Sequence, residues 1–458
     1  MENGLYKEHE GKAAMRRRQL TRASDIAIAG GITALLLAGC VTYEPVPLPE
    51  KVALAERLPG QVVQPLDMDA ISTVAVLNNP DLKAARVKTG VSEAQAFAAG
   101  ILPNPQLTAN LDPATGGGSV VPGAGLGIAY DIQGLIIRPA KVEAARAARD
   151  QARLSLLWQE WQTVAQARTL YVQRINAAEK RELFANLEAR YATQADRSGR
   201  ALQTGDATFD TAGVDLAALL DARSQLRTAE RTGSQADYQL RTLLGVAPQV
   251  DLPLQPLMLP AIPDRAAIDA ALAKVAQTRP DLRALQLGYQ SQEQLLRQSV
   301  LAQFPSLSLG IGRAVDTTNV HTISLGATLN LPVFDHNQGE IAIQTATRAQ
   351  LLSEYQARLD QTTGDAWKLW TEMQELATAI KEIQDRVPEL QTASENAERA
   401  YTAGDLPALT YVTLQSAVLN RQSELSDLRQ SLWNDAIALS SVLGTQIQPV
   451  IEMKELVP

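Results

Sequence analysis

The apolar residues of this chain follow two different periods, and each period predicts a different kind of element. The stretch TISLGATLNLPVF, residues 322–334, has apolar residues at every second position, with Ser, Gly, Thr or Asn between most of them. A period of two over this length predicts a β-strand with one apolar face and one small, polar face. Segments 106–112, 124–132 and 306–314 alternate in the same way. We therefore expect four such strands, the last over 321–331.

The second period is 3.5 residues, and it covers two very long segments, about 139–203 and 339–402. A heptad repeat of this length predicts helices that pack as in a coiled coil. At ~1.5 Å per residue each helix approaches ~100 Å. Leu187 and Tyr191 lie off the main stripe of the first helix and predict a second contact face. That main stripe is Leu154, Leu157, Trp161, Val164, Arg168, Tyr171, Ile175, Ala178, Glu182, Ala185, Ala189 and Ala192.

The chain contains a tandem duplication. A Pro-Asp-Leu motif occurs twice, and in each copy a helix, two strands, a long helix and a second helix of about 40 residues follow it. The second of these helices is expected over about 206–245 and 405–444. The offset between matching residues is 200 at the start and 199 downstream. The matching landmarks are Pro80 and Pro280, Pro105 and Pro305, Gly205-Asp206 and Gly404-Asp405, and Leu244-Gly245 and Leu443-Gly444.

The N-terminus has the layout of a secretory signal. A basic MRRRQL segment precedes a short apolar run that ends in LAGC, residues 37–40. Cys40 is the sole cysteine, and LAGC resembles a bacterial lipobox, which implies cleavage before Cys40 and attachment of a lipid to it; the alternative is an ordinary signal peptide with an incidental cysteine. The predicted organisation is a signal peptide 1–39, a lipidated segment 40–65, a first repeat 66–250, a linker 251–265, a second repeat 266–446 and a tail 447–458.

The four strands argue against a simple coiled-coil rod. At ~9–11 residues a tilted strand spans a bilayer. An open sheet cannot lie in lipid, because its edges leave backbone groups unpaired, and a closed membrane barrel needs about eight strands. One chain cannot close such a barrel, whereas three chains supply about 12 strands. The apolar strand faces would then contact lipid, and the small polar faces would line a pore.

In this order the motifs resemble the outer-membrane factor family, the TolC-like exit ducts of bacterial efflux and secretion systems. The resemblance rests on the duplicated Pro-Asp-Leu starts, GILPNPQL, NLPVFDHNQGEI, the TGD and AGD turns, and the LLG and VLG repeat ends. It implies a mainly α fold with membrane β-structure. The expected assembly is a homotrimer with a 12-stranded outer-membrane barrel above a long α-helical periplasmic tunnel. Its partners would be a periplasmic adaptor protein and an inner-membrane pump of the resistance–nodulation–division class.

The resemblance places the tunnel entrance at the turns in 204–215 and 403–414. Family members often have aspartates six and nine residues after the turn glycine, but these positions here are Thr211, Val214, Thr410 and Thr413. Other acids lie nearby, and we take them with the threonines as entrance candidates. These acids are Asp206, Asp210, Asp215 and Asp405. Asp206 and Asp405 follow the turn glycines, and because a Gly-Asp turn is also an ordinary helix N-cap, we favour the capping role for these two.

Composition and motifs argue against other classes of function. The net charge of −8 and the lack of a basic stripe disfavour nucleic-acid binding. The three histidines are scattered, so we expect neither a metal site nor a cofactor, and no nucleophile–base pattern indicates an enzyme.

The sequence thus predicts a passive outer-membrane exit duct for small toxic solutes, either heavy-metal cations or drugs. A type I secretion duct, and a pore-free periplasmic coiled-coil adaptor or structural lipoprotein, stay as alternatives.

Overall fold

The computed structural model describes residues 43–58, 65–113, 115–116 and 121–445. The chain divides into two compact units, Met1–Ala53 and Leu54–Pro458. The described part of the first unit, 43–53, has no helix or strand. The predicted signal peptide and Cys40 lie outside the described residues. None of the helices described has a segment both long and apolar enough to cross a membrane.

The second unit contains the same element order twice, except that the second copy has one more short helix at its start. The first copy has α1 (Met68–Asn78), α2 (Pro80–Gly100), β1 (Gln106–Asp112), β2 (Gly123–Asp131), α3 (Ile132–Thr204) and α4 (Phe209–Leu244). The second copy has α5 (Arg265–Leu272), α6 (Val275–Thr278), α7 (Pro280–Leu301), β3 (Ser306–Val315), β4 (His321–Asn330), α8 (Gln338–Ala403) and α9 (Ala408–Leu443). The helix–hairpin–long helix–helix repeat is therefore confirmed.

The long helix α3 begins earlier than the sequence predicts. It starts at Ile132, directly after β2, and Pro139 lies inside it rather than at its start. Two contacts hold this first part against neighbouring elements. The amide of Gln133 donates to the carbonyl of Phe304 at 2.9 Å, and the guanidinium of Arg138 donates to the carbonyl of Gly100. Tertiary contacts therefore extend the helix past a proline that alone would favour a helix start.

The four strands form one antiparallel sheet in the order β1-β2-β3-β4. Each repeat contributes one hairpin, and β2 pairs with β3 across the repeats, with Gly127 opposite Gly312 and Ile128 opposite Ile311. The two repeats thus share a single sheet. Below it α3 packs against α2, α4, α7 and α9, and α8 packs against α7 and α9.

Each repeat closes by packing its Pro-Asp-Leu start against its Leu-Gly end. In the first copy the side-chain amide of Asn78 donates to the carbonyls of Leu244, at 2.7 Å, and Gly245, at 3.0 Å. In the second copy the buried guanidinium of Arg279 donates to the carbonyl of Val442 at 3.2 Å and also pairs with Asp281. Gly245 and Gly444 both have left-handed backbones, with φ of 61° and 70°. This packing gives the duplicated landmarks a common structural cause.

Burial along the long helices follows the heptad period, but of the stripe predicted for α3 only Tyr171 is fully buried, and the other buried residues lie on a neighbouring stripe. In α8 the buried side chains include Ala366, Met373, Ile380 and Ser394, which are multiples of seven residues apart. In α3 they include Leu170, Ala177, Phe184, Tyr191 and Ser198, also seven apart. The predicted positions Glu182 and Ala189 are exposed. Phe184 and Tyr191 pack against α4, together with Leu187, so what the sequence marks as the second face is the main one here.

Candidate functional site

The four strands build a sheet with one apolar and one small, polar face. Residues paired across an antiparallel sheet lie on the same face. One row of pairs runs Leu107, Ile128, Ile311, Leu325, and the next row runs Thr108, Gly127, Gly312, Ser324. The alternation predicted for single strands therefore stays in register over the whole sheet.

The apolar face is open to the surroundings of the chain. Its exposed aliphatic side chains range from 47% exposed at Ile128 to 84% exposed at Leu325. Soluble monomers rarely expose a contiguous apolar patch of more than about a few hundred Å². The exposed aliphatic residues in the strands are Leu107, Leu111, Leu126, Ile128, Leu309, Ile311, Ile323, Leu325 and Leu329. A face of this kind needs an apolar environment.

Both outer strands of the sheet lack a partner on one side. Within the described part of the chain, β1 pairs only with β2, and β4 pairs only with β3. In lipid, each backbone N–H or C=O group that stays unpaired at the edge of a sheet costs several kcal/mol. A sheet with an exposed apolar face and two open edges is therefore a fragment of a larger sheet if it lies in a membrane.

The small face has little room for side chains between neighbouring strands. A Cβ atom at Gly310 would lie 3.1 Å from the carbonyl oxygen of Ile128, and one at Gly312 would lie 2.9 Å from the hydroxyl of Ser324. At Gly125 the nearest atom would be the Ala314 Cβ, at an ordinary 3.6 Å. The close approaches explain two of the glycines that the sequence places on this face.

The two helix turns opposite the sheet have the same geometry. Gly205 and Gly404 have left-handed backbones, with φ of 81° and 84°. In each turn the N–H of the following aspartate donates to a carbonyl five residues back, at 2.7 Å for Asp206 and 2.9 Å for Asp405. This arrangement ends α3 and α8 in the way that a C-terminal glycine usually does.

The N-cap role predicted for Asp206 and Asp405 is wrong. Thr208 caps α4, and its side chain accepts the N–H of Thr211 at 3.3 Å, whereas Asp206 accepts from the hydroxyl of Thr204 at 2.7 Å. The residue before α9 is Pro407, which makes no side-chain cap. The aspartates fall in the turn itself, two residues before the cap position, so they cannot accept from the first helical N–H groups.

One entrance candidate, Asp215, is buried among side chains from three helices. It is 1% exposed, and its Oδ2 accepts from the amide of Gln194 in α3 and the hydroxyl of Tyr401 in α8, both at 3.3 Å. Gln194 also donates to the hydroxyl of Tyr401. Among the described residues Asp215 Oδ1 has no hydrogen-bond partner. The carboxylate thus accepts from neutral donors alone, and its hydrogen bond from Tyr401 connects the two repeats near their turns.

An aromatic pair extends this cluster to α9. The rings of Tyr401 and Tyr411 are parallel, with centroids 4.8 Å apart. Burial raises the pKa of Tyr411 to about 12, with Glu398 contributing. Burial also raises the pKa of Tyr401, as does the charge of Asp215. Both hydroxyls therefore keep their protons at neutral pH, and Tyr401 can donate to Asp215.

The remaining entrance candidates lie on the surface of the turns or half-buried beside them. Asp206, Asp210, Asp405, Thr410 and Thr413 are exposed, and Thr211 is half-buried. They are not gathered around Asp215, whose polar partners are Gln194 and Tyr401. Sequence reasoning missed these partners. The available signal was Tyr401 itself, a tyrosine on the heptad stripe three residues before the turn glycine.

Sequence comparisons relate the chain to outer-membrane efflux proteins. The family model described as outer membrane efflux protein matches residues 271–445, most of the second repeat. The cobalt-zinc-cadmium resistance protein CzcC of Cupriavidus metallidurans is 25% identical over 395 residues, which cover 84% of this chain and 92% of CzcC. The pyoverdine export outer membrane protein OpmQ of Pseudomonas aeruginosa is 23% identical, over 82% of this chain and 85% of OpmQ.

Solved structures share the fold over nearly the whole chain. CusC superposes with a TM-score of 0.69 at 18% identity and covers 90% of this chain and 100% of its own. The outer-membrane channel OprN gives a TM-score of 0.71 at 15% identity, over 89% of this chain and 99% of its own. VceC of Vibrio cholerae gives 0.68 at 15% identity, over 83% and 97%. The described helices and sheet therefore have the fold of these outer-membrane channels.

Proposed function

Because the chain belongs to the outer-membrane factor family of efflux proteins, we propose that three copies form the outer-membrane exit duct of a tripartite efflux system. The duct carries small toxic solutes passively, and an inner-membrane pump supplies the energy. A periplasmic adaptor connects the pump to the helix turns.

The observation that carries the proposal is the open, two-faced sheet. Its apolar face needs lipid and its two edges need strands, and both needs are met when copies of the chain pair edge to edge. Four strands from each of three chains give a barrel of about 12 strands, above the minimum of about eight. The face of Thr108, Gly127, Gly312 and Ser324 then lines the pore.

The helices continue the pore as a tunnel into the periplasm. At about 1.5 Å per residue the 73 residues of α3 extend ~110 Å and the 66 residues of α8 extend ~100 Å. The entrance then lies at the turns around Gly205 and Gly404, with Asp206, Asp210 and Asp405 as its exposed acids. The exposed side chains of Phe209 and Leu409 in the same turns offer apolar contacts for the adaptor.

We also propose that the mature protein is a lipoprotein. Cleavage before Cys40 would leave lipidated segment 40–65 as a second tether, beside the barrel. The boundaries 66–250, 251–265, 266–446 and 447–458 describe the repeats, linker and tail. Two signals are the usual requirement for stable membrane anchoring, and here the barrel supplies one of them.

For the cargo, likeness to a cobalt-zinc-cadmium resistance protein favours metal cations, and likeness to a pyoverdine export protein favours organic solutes. Both belong to the class of small solutes that electrostatics and pore width select. The duct has no catalytic role. A polypeptide secretion duct is the second candidate, since the same tunnel geometry serves both.

The experiment is single-channel recording with trimers purified in detergent, their mass checked by native mass spectrometry. We expect a reproducible pore in planar bilayers. Because the turns can be shut at rest, the double variant Tyr401→Phe, Asp215→Ala is recorded in parallel. A protein that is monomeric, soluble without detergent and silent in both forms would favour the pore-free adaptor. Growth of a deletion strain on zinc or cadmium salts, compared with growth on organic drugs, then identifies the cargo.

A further inference from the structure

One arginine interrupts the apolar face of the sheet. Arg313 in β3 pairs with Leu126 in β2 and Ile323 in β4, so its side chain shares their face. The strands are fully described, and apart from Tyr130 the only other ionisable residue on that face is His321, opposite Val315. Arg313 is exposed, and it has no ion pair or hydrogen bond among the described residues. An unpaired cation on an apolar face is costly in lipid.

The residues around Arg313 offer it no carboxylate. Its strand neighbours on this face are Ile311 and Val315, and the diagonal positions are Ala124, Ile128, His321 and Leu325. The nearest acid along the chain, Asp316, is in the hairpin turn. It is an odd number of residues from Arg313, so it does not continue the face on which Arg313 lies. Its Oδ1 accepts from the N–H groups of Thr318, at 2.8 Å, and Val320, at 2.9 Å. The sheet therefore presents a guanidinium without supplying its counterion.

The height of Arg313 on the sheet indicates where that counterion comes from. Arg313 is level with Ile323, the large aliphatic residue of β4 nearest to the hairpin turn. At the other end of the same face lies Tyr130, and the exposed rings of Phe304 and Phe334 flank the sheet close by, on the side of the helices. These aromatic residues mark the membrane boundary at the helix end of the sheet. Arg313, at the opposite end, reaches the boundary on the side of the hairpin turn.

We propose that Arg313 binds a phosphate group of the glycolipid in the outer leaflet, at the turn end of the barrel. The inference rests on the proposed function, because it requires the apolar face to contact lipid. A guanidinium presents a planar fork of donors that matches two phosphate oxygens, and the apolar surroundings strengthen the contact. His321, one row closer to the turn, is a second donor to the same headgroup. Each trimer then holds three phosphate lipids at equivalent positions.

The test measures lipid retention in native mass spectra of the full-length trimer. The trimer is incubated in detergent with bisphosphorylated lipid A or with the same lipid after enzymatic removal of both phosphates. We expect the wild-type trimer to retain the phosphorylated form at least 10-fold better, with up to three copies bound. Inorganic phosphate at the same concentration will not displace it. Equal retention of the two lipids overturns the inference, whatever the variants do.

Variants then assign the preference to this residue. Arg313→Gln keeps a polar side chain of similar length and is expected to remove most of the preference, whereas Arg313→Lys keeps a reduced one. Arg231→Gln, which removes an exposed arginine of α4, is the matched control and leaves it unchanged. An unaltered preference in Arg313→Gln trimers also overturns the inference.

The same preparations are recorded in planar bilayers. Conducting trimers without a phosphate preference refute only the role of Arg313. A protein that forms neither trimers nor pores refutes the duct itself.

Discussion

The hydroxyl of Tyr401, in the long helix of the second repeat, donates to the buried carboxylate of Asp215 in the first repeat at 3.3 Å. The two residues are 186 positions apart, and each lies within about three turns of its own turn glycine. Because Asp215 Oδ1 has no partner among the described residues, Oδ2 accepts both hydrogen bonds of this carboxylate, and the one from Tyr401 connects the repeats here. Opening the helix turns would separate these groups.

Tyr401→Phe is therefore expected to loosen the turn region without disturbing its packing. The ring and its stack on Tyr411 remain, but Asp215 loses one of two donors, which costs about 1–3 kcal/mol for a buried acceptor. Hydrogen exchange in 190–215 and 395–411 should become about 10-fold faster or more, and channel open times should lengthen. Tyr238→Phe makes the same change at an exposed site and is the control. Unchanged exchange in Tyr401→Phe would show that the contact does not hold the turns.

Stability is expected to fall in alkaline solution partly because of Tyr411. Burial raises the pKa of its hydroxyl from 10.0 to about 12, so between these values the folded protein holds a proton that the unfolded chain releases. The stabilisation is complete below pH 10 and is lost as the pH rises towards 12. Thermal unfolding at pH 8, 10 and 11 measures this decline, which should be shallower in Tyr411→Phe. The exposed Tyr238→Phe variant should follow the wild type.

The small face of the sheet is expected to tolerate a methyl group at one glycine and not at another. An alanine Cβ at Gly310 meets the carbonyl oxygen of Ile128 at 3.1 Å, whereas at Gly125 the contact distance of 3.6 Å is ordinary. Overpacking of this kind costs about 1–3 kcal/mol. Trimers of Gly310→Ala should dissociate in detergent at a lower temperature than trimers of Gly125→Ala. Equal dissociation temperatures for the two variants would mean that the strands shift to accommodate the methyl group without loss of stability.

Two glycines with left-handed backbones should also differ in how much stability an alanine substitution costs. Gly205 has φ of 81° and free space around it, so alanine costs about 1–2 kcal/mol of backbone strain alone. Gly245 has φ of 61° and also lies against Asn78, whose carbonyl oxygen would be 2.7 Å from the new Cβ. Urea unfolding should show a larger loss for Gly245→Ala, and limited proteolysis should cut it near residue 245. A larger loss for Gly205→Ala would contradict the packing of repeat start on repeat end.

The sequence determined the repeat and the local elements. The offset of 199 to 200 residues, the strand alternation and the turn glycines are local patterns, and each strand was placed to within about one residue because period two tolerates no slip. The same alternation fixed which strand residues share a face, and so the division into an apolar and a small face.

Tertiary structure decided which local features meet. No pattern along the chain specifies that β2 pairs with β3, or that Asp215 meets Tyr401, because those contacts join residues more than 170 positions apart. The buried stripe of α3 is set by α4 and α9, which pack on Phe184 and Tyr191 and leave Glu182 exposed. The cap of α4 is Thr208 rather than Asp206 because the turn after Gly205 needs two further residues before the helix begins. A heptad specifies that a helix has a contact face, and only its neighbours select which one.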